Sequence, residues 1–175
     1  EALTTDAGGK DASPAPSVKP AALETFSGID RYEAAERFNE DFLVKGWGDG
    51  FPLIPPTGEK VARMLKGTTR APQDVVSVMV PGSGIATVEK IAINAVMAGC
   101  EPPHLPVVIA AVEAFEALGY SNRALAMSTG PHAPLLVVNG PIVKELGLNY
   151  GRCTLGPGVQ SRVNIAVGRA LRLCM

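Results

Sequence analysis

Apolar positions recur at three- and four-residue spacing along much of the chain, and each such run predicts a helix with one face to bury. The first opens at Asp30, with Ala34, Ala35, Phe38, Phe42 and Leu43 on one face, and ends near Gly46. Trp47 to Pro56 holds two glycines and three prolines in ten residues, so it reads as a stiff extended connection. Thr57 then caps a short helix through Leu65. Asp74 to Val80 is a β-branched strand candidate, followed by Pro81-Gly82-Ser83-Gly84 and a helix from Thr87 to Ala98. Leu105 to Leu118 is apolar on nearly every side except Glu113 and Glu116, which predicts a mostly buried helix. Ala124 to Ser128 and Leu135 to Asn139 read as strands, the second a continuous apolar run of the kind found in a sheet covered on both faces. Gly140-Pro141 opens another short helix, and Val159 to Met175 reads as a last one.

This pattern predicts an α/β fold, a small mixed sheet flanked by buried helices, over residues 29–175. Glu1 to Gly28, with Ser13-Pro14-Ala15-Pro16-Ser17 at its middle, reads as a flexible N-terminal arm. Sliding the chain by 74 residues lays Gly82-Ser83-Gly84 on Gly156-Pro157-Gly158 and Ile91-Ala92-Ile93 on Ile165-Ala166-Val167. A true duplication requires equivalent strands in front of both copies.

Composition narrows the class of protein. Apolar residues make up 46% of the chain and mean hydropathy is +0.17, too apolar for a disordered chain. No window approaches the run of about 18 apolar residues that a membrane helix needs. Sixteen basic and 17 acidic residues, a net charge near −1 and no basic stripe argue against nucleic acid as a partner. Three widely spaced cysteines, Cys100, Cys153 and Cys174, form neither a CxxC pair nor a disulfide framework, which points to a reducing cytoplasm. The chain opens on Glu1 without an apolar leader, and its last helix has no Gly, Asn or Pro to stop it before Met175. The expectation is further polypeptide beyond Met175, as a continuation or a second chain.

The residues able to do chemistry are scattered. A glycine turn leading into a helix offers free N–H groups and a positive dipole end to an anion, so Gly84 and Gly158 are candidate ligand-holding positions, with Arg162 beside the second. Equally, such glycines serve close backbone approach alone. Cys100 is a candidate thiol, although a helix C-terminus disfavours thiolate and a buried apolar role suits it as well. Nearby His104 offers it a base, or Glu101 and His104 join it around a metal ion, the one cofactor the residues suggest, although this is no recognised closed-site spacing. His132, beside Ser128 and Thr129, suits a general acid or base, or a loop brace. Glu89 either complements its helix dipole or acts as a base. Asn139 sits at the carboxyl end of an expected strand, where α/β sheets bind ligands, or only holds its turn. Asn94 and Asn164 interrupt apolar helices and need partners, from backbone or in a pocket. Asp49 suits a cation or an Asx turn.

Gly48 to Thr57 (GDGFPLIPPT), Ala86 to Cys100 (ATVEKIAINAVMAGC), Ala133 to Pro141 (APLLVVNGP) and Leu155 to Gly158 (LGPG) resemble a bacterial family across most of Gly46 to Met175. Its members resemble companion proteins encoded near UGSC-type selenoproteins, which are akin to the selenoprotein of glycine reductase. The resemblance implies a chain that continues past the position of Met175, as a nicked precursor or a two-subunit assembly. It marks Glu89, Asn94, Cys100, His132 and Asn139 as pattern positions, leaves Cys153 outside the pattern, and implies no particular reaction.

The expected function is therefore a subunit or fragment of a small-molecule enzyme whose site is shared with a second chain. It would work by thiol or metal-assisted chemistry on a small anionic or thiol-containing substrate. Cys100, His132 and Glu89 would be the reacting groups, and Gly84, Asn139, Gly158 and Arg162 would hold the ligand. The competing expectation is a non-catalytic scaffold for a catalytic partner. A third is a self-processing precursor cut after Met175, of the pyruvoyl-enzyme kind.

Overall fold

The computed structural model describes residues 18, 21–119, 124, 125, 127–130, 132–156 and 158–175. Most of the arm, residues 1–17, 19 and 20, lies outside them.

Helix α1 (Arg31–Val44) starts where Asp30 accepts hydrogen bonds from the amides of Tyr32 and Glu33. Its apolar stripe carries Phe38 and Phe42, and Phe26 from the preceding irregular segment meets Phe38 edge to face at 5.4 Å between ring centres. The connection that follows is pinned to α1 by one amide side chain. Asn39 accepts from the Leu53 N–H at 2.6 Å and donates to the Leu53 carbonyl at 3.2 Å, as a neighbouring strand would. Helix α2 (Gly58–Leu65) is capped by Thr57, whose hydroxyl accepts from the Lys60 amide.

Strands β1 (Val75–Met79) and β2 (Gly84–Thr87) form a two-stranded antiparallel sheet. A bulge between Val75 and Ser77 breaks the pairing, which is why Val76 and Ser77 are both buried although adjacent. Helix α3 (Val88–Ala98) follows directly and is the centre of the core, with Val88, Ile91, Ala92 and Ala95 at most 1% exposed. It ends on Gly99 at φ 87°, with the Cys100 amide donating to the Ala95 carbonyl and the Gly99 amide to Val96, the paired bonds of a Schellman cap. A 3-10 turn (Pro102–His104) leads into α4 (Leu105–Ala117). That helix buries Leu105, Val108, Val112 and Phe115 and turns Ala110, Ala114 and both glutamates outward, so it is half-buried. After the short α5 (Ile142–Glu145), a 3-10 turn (Val159–Ser161) opens α6 (Arg162–Cys174). Ala166, Val167, Ala170 and Leu171 form its buried stripe, and alanines on both α3 and α6 let the two helices meet closely.

Three expectations are corrected. Ala124, Leu125 and Met127 have helical backbone, not strand. Leu135 to Asn139 pairs with no strand among the described residues, and Leu135 and Val137 are 70% and 79% exposed, so it is no buried sheet interior. Among the described residues the sheet is thus a β-hairpin and not mixed, and its second strand, Gly84–Thr87, runs from the end of the expected turn into the expected start of the next helix. That strand also bears on the duplication: the two segments aligned by the 74-residue shift end in α3 and α6, which pack together. The hairpin before α3 has no counterpart before α6 among the described residues.

Candidate functional site

The residues singled out from the sequence do not converge. Gly84 sits in β2, four residues before α3, and the first amides of that helix are already taken. The Val88 N–H donates to the Asp74 carbonyl at 3.1 Å, Glu89 N–H to Pro72 at 2.8 Å, and Lys90 N–H to the Thr87 hydroxyl at 3.3 Å. The expected anion site at this helix start is therefore closed by the protein's own acceptors. Glu89 receives a hydrogen bond from the Gln73 amide at 3.0 Å and does not line the cleft described below.

Cys100 is buried behind the α3 cap, and burial pushes its thiol up to about 12. Thiolate is scarce at neutral pH, so the thiol behaves as a small apolar core group, contrary to the expected nucleophile. Cys174 is pushed up to about 12 by the same cause. A metal role fares no better: among the described residues no group of three or more His, Cys, Asp or Glu side chains could hold a metal ion. His132 is exposed, with its N–H donating to the Gly130 carbonyl at 2.8 Å. Asn139 is exposed just before the left-handed Gly140 that leads into α5. Gly158, at φ 128°, lets the chain turn into α6.

Other polar residues hold loops. Asn149 and Asn164 exchange hydrogen bonds, the Asn149 N–H to the Asn164 side-chain oxygen at 2.9 Å and the Asn164 amide to the Asn149 carbonyl at 2.8 Å. Ser161 donates to the Cys153 carbonyl and accepts from Asn149. This explains an amide inside an amphipathic helix: Asn164 fastens the loop from 149 to 161. Asp49 makes an Asx turn with the Phe51 N–H at 3.3 Å and a bidentate ion pair with Arg169 of α6. Its carboxyl is held below the ordinary range first by that guanidinium. Arg169 also reaches the Phe51 and Pro52 carbonyls, so the cation at Asp49 is an arginine 120 residues away.

One cluster of reactive side chains does form. The end of α3, the 3-10 turn at Pro102–His104 and the start of α6 enclose a cleft of about 240 Å³ lined by Gly99, Glu101, His104, Arg162 and apolar neighbours. The Glu101 N–H donates to His104 Nδ1 at 2.9 Å, which leaves the proton of the neutral ring on Nε2. Burial lowers the His104 pKa below its ordinary value, the Glu101 carboxylate opposes this, and the Arg162 guanidinium reinforces it. Glu101 and Arg162 meet at 3.2 Å with side chains 56% and 67% exposed. An ion pair this solvated is worth about 0–1 kcal/mol, so an incoming anion displaces the carboxylate at little cost. Arg162 had been singled out from the sequence, whereas Glu101 and His104 were read only as companions of Cys100. Glu101 and His104 line the cleft, whereas Cys100 does not.

No family model matches the chain, and no curated protein or solved structure is similar to it.

Proposed function

We propose that the chain is the anion-holding part of a small-molecule enzyme whose site is completed by a second chain. The supporting observation is the convergence of Glu101, His104 and Arg162 on one cleft, at a place where two helix ends meet. Arg162 binds a carboxylate or phosphate in exchange for Glu101, and the His104 Nε2–H donates a second hydrogen bond. Glu101, released from the guanidinium, is then a base beside the bound molecule. The chemistry is acid–base in type, since Cys100 is a protonated core thiol. The resemblance to companion proteins of UGSC-type selenoproteins supports a second chain.

The test is a titration of inorganic phosphate and of succinate into the purified chain, followed by isothermal calorimetry. Saturable binding to the unaltered chain, weakened at least tenfold in Arg162→Ala and in His104→Gln, supports the reading. Equal affinity in all three proteins, or no binding to any, removes it.

A scaffold reading is favoured by a different observation, the exposure of Leu135 and Val137 on a segment free of backbone pairing among the described residues. Native mass spectrometry separates the two: loss of a co-purifying chain on Val137→Asp, with ligand binding intact, assigns the segment to assembly.

A further inference from the structure

The charges in the Arg162 cleft are balanced, and the balance narrows what can enter. With the His104 ring neutral, the cleft carries one negative and one positive side chain, Glu101 and Arg162. Among the described residues neither of them has a second ion-pair partner. A simple anion that displaces Glu101 from the guanidinium leaves two negative groups sharing one cation, and like charges that close repel. A dianion makes the imbalance larger. A molecule that brings an ammonium group together with its carboxylate keeps both charges paired, the carboxylate on Arg162 and the ammonium on Glu101. Both side chains are more than half exposed, so they part at little cost to admit it.

Two further features of the cleft fit such a molecule. His104 is only 8% exposed, and its Nε2 has no hydrogen-bond partner among the described residues, while Nδ1 is taken by the Glu101 N–H. A donor on so buried a ring gains from an acceptor, and a ligand carboxylate oxygen supplies one. Leu146, just after α5, and Val163 of α6 also line the cleft, and both are half-buried, so they keep apolar surface open to it. The space of about 240 Å³ is below the roughly 300–1,000 Å³ of pockets that take drug-sized ligands, so its occupant is small.

We infer, resting on the anion-holding reading of Arg162 and His104, that the cleft takes a small α-amino acid with an aliphatic side chain. Its carboxylate lies on Arg162 and His104, its ammonium on Glu101 and its side chain against Leu146 and Val163.

The probes are L-valine, isovalerate, which is valine without the amino group, and isobutylamine, which is valine without the carboxylate. Each is titrated into the purified chain and followed by amide NMR. Saturable shifts with valine are expected, with isovalerate and isobutylamine each binding at least tenfold more weakly. Arg162→Ala should weaken valine and isovalerate alike, whereas Glu101→Gln should weaken valine at least tenfold and leave isovalerate no weaker than before. Isovalerate binding as tightly as valine, with both lost in Arg162→Ala, overturns the amino acid as ligand and leaves the anion-holding reading standing. Saturable binding of succinate or phosphate but not of valine does the same, as does a folded Glu101→Gln protein that still prefers valine tenfold. No saturable binding of valine, isovalerate, succinate or phosphate overturns both.

Discussion

Ser77 shows how much a single side chain depends on its strand neighbours. It is 3% exposed, and its hydroxyl has no hydrogen-bond partner among the described residues, because the bulge turns it inward beside Val76. Removing a buried unsatisfied hydroxyl recovers its desolvation cost, so Ser77→Ala should stabilise the fold by about 1 kcal/mol in urea denaturation. His104 gives a pH dependence of definite sign. Its folded pKa lies below the ordinary value of about 6.5, so between those two values the unfolded chain binds the extra proton. The stability it contributes is complete above about pH 6.5 and is lost as pH falls toward the folded value. Thermal midpoints should therefore drop between pH 7.5 and 5.5, and His104→Gln should flatten that part of the profile. Among the cysteines, exposed Cys153 should react with iodoacetamide well before Cys100 and Cys174, as peptide mapping would show. Arg162 opens α6 and Cys100, read as the end of its helix, lies just past the Gly99 cap of α3; what the sequence did not reveal was that Glu101 would meet Arg162.

At the scale of elements, the helices were legible because their signals are local. Asp30 and Thr57 cap the helices they were expected to open, Thr87 caps α3 where it had been expected as its first residue, and Gly99 ends α3. Contacts between elements carried no such signal. Gly67, just after α2, lies so close to the Pro102 carbonyl that an added Cβ would overlap its oxygen. Gly67→Ala should thus destabilise by about 3 kcal/mol or more, or abolish folding, measured by circular dichroism, since neither backbone can yield cheaply. The Asp49–Arg169 pair is likewise long-range, with side chains only 16% and 22% exposed. Asp49→Asn breaks the charge-assisted pair that ties the Pro-rich connection to α6 and should cost about 2 kcal/mol in the same assay.

For the whole molecule, the instructive element is the apolar segment from Leu135 to Asn139. Composition predicted an interior strand, yet the segment shows the alternation of a surface strand, with Leu136 and Val138 half-buried and Leu135 and Val137 outward. Leu136→Asp should therefore destabilise by about 2 kcal/mol, whereas Val137→Asp should stay within about 0.5 kcal/mol, as chemical denaturation would read. No helix among the described residues is long and apolar enough to cross a membrane, in keeping with the absence of any long apolar run. The sequence by itself determined the positions of α1, α2, α3, α4 and α6, because periodicity and capping depend on residues three or four apart, but not the helical backbone near Ala124. Only the tertiary structure decided the antiparallel hairpin, the occupied amides of α3 and the meeting of His104 with Glu101 and Arg162 in one cleft. It also decided which scattered charges meet, since Glu101 and Arg162 are 61 residues apart and Asp49 and Arg169 are 120. Such pairings follow from how the helices pack around α3, a property of the assembled core that no local spacing encodes.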